Sequence, residues 1–129
     1  MLFHTFSFQQ NRRDFGGSAF MELQFCKLPY ESKIKKIVSN IMNWQNDSLY
    51  VHIDDVEIFD QEYGRIFNDG IYNNLKSGTV DIYGINYYKP SLTDAIIEEI
   101  KKEKPSDYET LISWLITSKS YNGFYILGI

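Results

Sequence analysis

Residues 91–129 read SLTDAIIEEIKKEKPSDYETLISWLITSKSYNGFYILGI and hold two helix signals in succession. A Ser-x-x-Asp motif at 91–94 and a Ser-x-x-Glu motif at 106–109 have the spacing of a capping box at a helix N-terminus. Apolar side chains recur at helical spacing after each motif, and a proline separates the two segments. The pattern predicts one helix over 92–103 and a second from 106 to about 118.

The final residues, 124–129, are densely apolar and follow Gly123, which predicts a last strand. We expect this strand to lie in the interior of a sheet, because an exposed apolar edge would aggregate. The first two of the remaining strands would form a hairpin across the polar connection between them. Alternating apolar, β-branched and aromatic residues predict these strands over 2–8, 20–28, 49–53 and 79–88.

Two further regions complete the predicted order of elements. A stripe of apolar residues over 34–42, opposed by lysines, predicts a helix. The Asp69-Gly70 pair, within a mixed segment at 56–75, indicates a hairpin turn between two short strands. The order ββαββββααβ predicts a single α+β domain over 1–129, with about three helices packed on a largely antiparallel sheet. The predicted core includes Ile37, Ile41, Trp114, Leu115 and Phe124.

The composition indicates one globular domain and excludes several classes of protein. The chain has 129 residues, of which 43% are hydrophobic and 23% charged, close to the average of folded domains. A net charge of −4 argues against a general nucleic-acid binder, and no apolar run approaches the ~20 residues of a membrane helix. Residues 1–8 lack the pattern of a signal peptide, and the single Cys26 fits a reducing compartment. We therefore expect a cytoplasmic protein.

Catalytic and metal-binding signals are sparse. His52, Asp54 and Asp55 could act as metal ligands or acid–base groups, but Asp55 would point away from the other two on a continuing strand. A metal site needs three or four ligands, and His4, the other histidine, is remote in sequence. We therefore predict no catalytic residue, metal or cofactor, and interpret the aspartates as turn formers at a strand end.

Three other signals have an ordinary structural interpretation. Cys26 could be a nucleophile beside a histidine, but its aromatic strand indicates a buried thiol. Gly16-Gly17-Ser18 is too short for a phosphate-binding loop, and the segment 9–18 is predicted to be a mobile connection. Arg12 and Arg13 could bind a phosphate or carboxylate, although a solvated loop is the simpler interpretation.

Carboxylates are concentrated in the middle of the chain. Residues 47–81 contain eight of them against two cations, whereas residues 1–40 contain six cations against three acids. Six tyrosines lie between positions 50 and 88, and tyrosine is enriched at protein interfaces. Carboxylates around such anchors would attract a basic partner and disfavour others. The alternative is that the acids line solvent faces and the tyrosines are half-buried strand residues.

These features resemble the small immunity proteins of bacterial toxin–immunity systems, including those of contact-dependent growth inhibition. The resemblance is carried by the run Asp54-Asp55-x-Glu57-x-x-Asp60-x-Glu62, the tyrosine content and the small α+β domain, and it extends over the whole chain. It implies a non-enzymatic protein that neutralises one cognate toxin, often a nuclease, by covering its active site or its substrate-binding surface. An acidic surface would there imitate a nucleic-acid backbone.

The prediction is therefore an acidic, tyrosine-rich surface that binds a basic toxin, without direct contact to nucleic acid or membrane. Its expected residues are the acids Asp54, Asp55, Glu57, Asp60, Glu62 and Asp69, with Tyr63 and Tyr72 as aromatic anchors. Two alternatives stay open. One is a small metal-dependent hydrolase or nuclease that uses His52 with Asp54 and Asp60. The other is an oligomeric structural or regulatory subunit that pairs through 79–88.

Overall fold

The computed structural model describes residues 1–15, 19–42 and 44–129. Within these ranges one sheet contains six strands: β1 (Phe20–Phe25), β2 (Leu49–His52), β3 (Gly70–Tyr72), β4 (Ser77–Gly78), β5 (Ile85–Tyr88) and β6 (Phe124–Leu127). Their spatial order is β2-β1-β6-β5-β3-β4, and every neighbouring pair is antiparallel. The predicted antiparallel sheet is confirmed.

The described helices are α1 (Gln9–Asp14), α2 (Ile34–Ile37), α3 (Val56–Tyr63), α4 (Thr93–Glu103) and α5 (Tyr108–Ser118). Two short 3-10 turns, Ile53–Asp55 and Pro90–Leu92, lead into α3 and α4. The three longer helices, α3, α4 and α5, pack against one face of the sheet. The predicted α+β class is therefore confirmed. None of the described helices is long and apolar enough to cross a membrane.

The main core lies between this face of the sheet and the three longer helices. Leu23 of β1 and Ile126 of β6 are completely buried there. The ring of Trp114 stacks on Phe25 with centroids 4.3 Å apart, which fastens α5 to the sheet. Removal of this apolar surface from water is the main driving force for the fold. Of the predicted core residues, Ile41 is half-buried, and those that are buried are Ile37, Trp114, Leu115 and Phe124.

The C-terminal strand β6 lies in the interior of the sheet, as its apolar sequence predicts. It pairs with β1 on one side and with β5 on the other. Phe124 and Ile126 face the main core, while Tyr125 faces the opposite side of the sheet. All three side chains are at most 1% exposed. A strand buried on both faces has a continuous apolar sequence, which explains the pattern.

A smaller apolar cluster around Tyr87 and Tyr125 covers part of the other face of the sheet. The hydroxyl of Tyr125 donates to the backbone carbonyl of Ile37 at 2.6 Å and so fixes the end of α2. This helix is shorter than predicted. The hydroxyl of Ser39 donates to the carbonyl of Lys35 at 2.8 Å, and such a side-chain bond competes with a continued helix.

The N-terminal segment does not form the predicted hairpin with β1. Both edges of β1 are occupied, by β2 and β6. The segment meets the sheet instead through an isolated bridge between His4 and Tyr50 of β2. The backbone amides of Leu2 and Phe3 donate to the carboxylate of Asp107, at 3.1 and 2.9 Å. The carboxylate of a residue distant in sequence thus holds the N-terminal segment in place.

The connection predicted over 9–18 is partly helical. Helix α1 contains both Arg12 and Arg13, so these residues do not lie in a loop. The segment Gly16-Gly17-Ser18, which is too short for a phosphate-binding loop, lies outside the described residues, as does Asn43.

The mixed segment before β3 is mainly helix α3, where two short strands were expected. Val56, Phe59 and Tyr63 recur at helical spacing and form the buried face of this helix. The hairpin between β3 and β4 turns after Tyr72 rather than at Asp69-Gly70. The aspartate–glycine pair instead leads from the turns after α3 into β3.

Strand β5 is shorter than the predicted strand over 79–88. The side-chain oxygen of Asn86 accepts a hydrogen bond from the amide of Asp81 at 2.8 Å. The carboxylate of Asp81 accepts in turn from the amide of Tyr83 at 2.9 Å. These side-chain bonds hold the preceding residues in a turn, which is a common role of Asn and Asp.

Neither predicted capping box forms, although both helices do. The N-cap residues are Leu92 for α4 and Asp107 for α5, and neither makes a side-chain cap hydrogen bond. Asp107 adopts a left-handed φ of 58°, which aspartate tolerates better than most residues. The helices form because their apolar faces are buried against the sheet, and tertiary packing contributes most of helix stability.

Candidate partner-binding surface

A row of carboxylates follows β2 along the 3-10 turn and α3. The backbone amide of Asp54 donates to Nδ1 of His52 at 3.2 Å, which caps the turn. The apolar face of α3 is directed into the core, so Glu57 and Asp60 are exposed. Asp54 is exposed as well, and Asp55 is partly so. We call Asp54, Asp55, Glu57 and Asp60 the acidic strip.

The acidic strip is poorly neutralised by the described part of the chain. Asp55, Glu57 and Asp60 form no ion pair with a lysine or arginine in these ranges, and an oxygen of Asp54 lies 3.5 Å from Nδ1 of His52. The strip therefore presents negative charge to solvent. The described ion pairs of lysine and arginine lie elsewhere, at Lys27–Asp47, Arg65–Glu103, Lys101–Glu98 and Lys119–Asp94.

Glu62 and Tyr63 contact the protein itself rather than solvent. The carboxylate of Glu62 accepts from the backbone amide of Ser106 at 2.9 Å and from its hydroxyl at 2.8 Å. The hydroxyl of Tyr63 donates to the Ser106 carbonyl at 2.7 Å, and the side chain of Tyr63 is fully buried. Burial, assisted by the charges of Asp107 and Glu62, raises the pKa of this hydroxyl.

The interpretation of Tyr63 as a surface anchor is therefore wrong. Tyrosine content does not reveal which face of a helix each ring occupies. The helical period places position 63 beside Val56 and Phe59, on the buried face of α3. Glu62, one position earlier, is half-buried and serves as an acceptor for the segment between α4 and α5.

Asp69 and Tyr72 lie beyond the other end of α3, apart from the acidic strip. This helix has eight residues, so about 12 Å of helix separates its two ends. Asp69 lines an open cleft of about 250 Å³ whose walls include Arg65 and Glu99. The hydroxyl of Tyr72 donates to the carbonyl of Thr79 within the β3–β4 hairpin. Four of the eight predicted residues, those of the acidic strip, thus lie at exposed or partly exposed positions of the 3-10 turn and α3.

The hydrolase alternative gains no support from the geometry around His52. In the part of the chain that the structure describes, no group of three or more His, Cys, Asp or Glu side chains could hold a metal ion. His52 is half-buried, and its ring meets the ring of Phe20 edge-on with centroids 5.3 Å apart. Cys26 is a free thiol whose Sγ lies 3.4 Å from the Tyr125 hydroxyl oxygen, and its predicted burial is confirmed.

The oligomer alternative expects two copies of the chain to pair through residues 79–88, and the strand in this segment, β5, has no free edge for such pairing. β5 has β6 on one side and β3 on the other, so neither edge is open to a second copy of the chain. The outermost strands of the sheet are β2 and β4. The reason for the difference is that the C-terminal strand and the β3–β4 hairpin enclose β5, an arrangement that its own sequence does not specify.

Sequence reasoning missed two buried polar residues of β1. Glu22 and Gln24 alternate with apolar residues, a pattern typical of a solvent-facing side, yet they are 6% and 1% exposed. Burial raises the pKa of Glu22, and hydrogen bonds from Ser48 and Gln24 oppose the shift. Alternation does not reveal what covers the second face of a sheet, and no local signal marks these residues.

Comparisons of the chain with protein-family models, with curated proteins and with solved structures found no match. Fold and surface together define a small α+β protein that carries an exposed acidic helix on a fixed scaffold.

Proposed function

We propose that this protein is a non-enzymatic binding protein that neutralises a basic protein toxin by covering part of its surface with the acidic strip. The observation that carries the proposal is the row of carboxylates on α3 and the turn before it, three of which have no lysine or arginine partner in the described chain. A cationic surface would neutralise them on contact. An immunity protein of a bacterial toxin system is the class that fits this arrangement.

The rigidity of the acidic strip supports the proposal. Val56 and Phe59 anchor α3 in the core, while Glu62 and Tyr63 fasten its last turn to Ser106. Groups held on a fixed helix lose less conformational freedom on binding than groups on a mobile loop. A larger part of the interaction energy with a partner then contributes to the binding affinity.

The charges of the acidic strip favour a cationic partner for a second reason. Glu57 and Asp60 lie three positions apart on α3, where like charges destabilise a helix by about 0.2–0.5 kcal/mol. A lysine or arginine of the partner would remove this repulsion. Long-range attraction would also raise the association rate, so we expect binding to weaken as salt concentration rises.

The proposal is tested by purifying the tagged protein from its native host and identifying what co-elutes. The acidic-strip variant combines Asp54→Asn, Asp55→Asn, Glu57→Gln and Asp60→Asn. The matched control removes four exposed carboxylates outside the strip, by changing Glu31, Glu98, Glu99 and Glu109 to Gln. Both variants change the net charge equally, so any difference between them depends on position.

We expect the wild type and the control to retain one basic protein in stoichiometric amount and to release it at high salt. The acidic-strip variant should bind that protein about tenfold more weakly, since each of the four exposed charge contacts contributes about 0.2–1 kcal/mol. Thermal unfolding checks that both variants remain folded. Equal affinities of the folded acidic-strip variant and the wild type would refute the proposal.

A further inference from the structure

A separate feature lies on the other face of the sheet, where α1 meets β1 and β2. The guanidinium carbon of Arg12 lies 5.8 Å from the ring centroid of Phe20 and 5.7 Å from that of Tyr50. Both rings are buried. A cation within about 6 Å of a ring centroid is attracted by the negative face of the ring. Arg12 therefore makes two cation–π contacts with buried rings.

A buried carboxylate lies beside these rings. Glu22 is opposite Tyr50 in the register of β1 and β2, and it shares a sheet face with Phe20, two positions away. Its Oε2 accepts from the hydroxyl of Ser48 at 2.6 Å, and no lysine or arginine of the described chain forms an ion pair with it. Trp44 packs against the apolar cluster that these rings form with Phe6. We call Phe20, Glu22, Trp44 and Tyr50 the arginine cage.

Arg12 occupies the arginine cage but leaves buried hydrogen-bond donors unpaired within the described chain. Its Nε atom is buried and has no hydrogen-bond partner among the described residues, and the same is true of Nε1 of Trp44. Most buried donors in native proteins are paired, because an unpaired one destabilises the fold. Burial raises the pKa of the Glu22 carboxyl and the positive charge of Arg12 opposes this rise, but the two side chains form no direct ion pair. An arginine that enters from outside is not tied to α1 and can take the direction in which it pairs with this carboxylate.

Helix α1 is short and lies on the surface of the protein. It has six residues, none of them buried. This is shorter than the roughly 12–15 residues below which an isolated helix is marginal even for favourable sequences. Phe8 before the helix is exposed, whereas Phe15 after it is about half exposed and contacts the rings of His4, Phe6, Phe20 and His52. Segments with few buried contacts open at a free energy far below that of global unfolding.

We propose that the arginine cage is a binding site for an arginine side chain of a peptide or protein, and that Arg12 fills it until the incoming guanidinium takes its place. The planar guanidinium stacks on the rings of Phe20 and Tyr50 and donates hydrogen bonds to Glu22. The cage lies on the sheet face opposite α3 and shares no residue with the acidic strip, so the proposal does not rest on the function proposed for that strip. Because Arg12 competes with the ligand, its removal raises the apparent affinity.

The probe is N-acetyl-arginine methylamide, titrated into the full chain and followed through the indole ¹H–¹⁵N signal of Trp44. Arg12→Ala vacates the arginine cage. Arg13→Ala is the matched control, because Arg13 is exposed on the same helix. The indole of Trp114 donates to the Asp47 carbonyl at 2.9 Å, away from the cage, and serves as the internal reference.

The Arg12→Ala variant should bind the probe at least about tenfold more tightly than the wild type and Arg13→Ala do. N-acetyl-citrulline methylamide, the uncharged analogue, should leave the Trp44 signal unchanged, and adding Glu22→Gln should abolish binding. The proposal fails if folded Arg12→Ala shows no saturable shift, responds equally to the citrulline probe, or binds no better than the wild type. If Arg12→Ala does not fold, Arg12→Met, which keeps an apolar stem over the rings, is judged by the same criteria.

Discussion

The carboxyl group of Glu22 shows how a single buried side chain can make the stability of a domain depend on pH. Desolvation by burial is the largest influence on this group and raises its pKa above the ordinary value of 4.5. The folded chain therefore holds the proton of Glu22 more tightly than the unfolded chain does. The stabilising contribution is complete below the unfolded pKa and is lost as pH rises through the folded pKa.

Replacing Glu22 with Gln tests this relation, because glutamine does not titrate and still offers an oxygen to Ser48. We expect the stability of the wild type, relative to Glu22→Gln, to fall as pH rises above 4.5, and the variant to be the more stable protein at neutral pH. Urea denaturation over a series of pH values measures both effects. Glu31→Gln, at an exposed position, should follow the wild type. Parallel stability curves for Glu22→Gln and the wild type would contradict the assignment.

At the scale of elements, α3 is fastened to the segment between α4 and α5 by side chains from its last turn. Glu62 accepts from both the amide and the hydroxyl of Ser106, and Tyr63 donates to the carbonyl of the same residue. All hydrogen-bonding groups of Ser106 are thus engaged by one turn of α3. This arrangement orients the helix that carries the acidic strip.

A double-mutant cycle on Glu62→Ala and Ser106→Ala should give a coupling energy of about 1 kcal/mol, because hydrogen bonds to a charged acceptor are removed together. Urea denaturation of the two single variants and the double variant supplies the cycle. Gln61→Ala, on the exposed side of α3, is the control and should change the free energy of unfolding by less than about 0.5 kcal/mol. Additive effects of Glu62→Ala and Ser106→Ala would show that the contact does not stabilise the fold.

At the scale of the whole molecule, the centre of the sheet joins the two ends of the chain. Phe25 of β1 lies opposite Phe124 of β6 in the strand register, and Leu23 lies opposite Ile126. The same pairs face α5, whose Trp114 stacks on Phe25. Loss of packing at this point should therefore weaken the sheet and the helical layer together.

Ile126→Ala should lower the free energy of unfolding by about 2–5 kcal/mol, because truncation in a fully buried strand removes apolar contacts and leaves a cavity. Ile116→Ala is the matched control, since Ile116 is exposed on the outer side of α5. Urea denaturation with a common slope for all three proteins provides the comparison. A loss for Ile126→Ala no larger than that of the control would contradict the interior position of β6.

Several elements of this protein follow from local sequence. The period of isoleucine and leucine in α4 and α5 predicts both helices within a few residues of their observed bounds. The uninterrupted apolar run of β6 predicts an interior strand. These features depend on neighbours in sequence, so a pattern along the chain is sufficient to reveal them. The run of acids from Asp54 to Asp60 is likewise visible in the sequence, although the helix that displays it is not.

The tertiary structure decided the features that depend on a distant partner. Tyr63 is buried rather than displayed, Glu62 binds Ser106, and Arg12 lies over rings of β1 and β2. The N-terminal segment likewise gives its amides to Asp107 instead of pairing as a strand. Each outcome is set by which groups far apart in sequence come into contact. The periodicity of a single segment records which of its faces are apolar, but contains no information about the element that covers them.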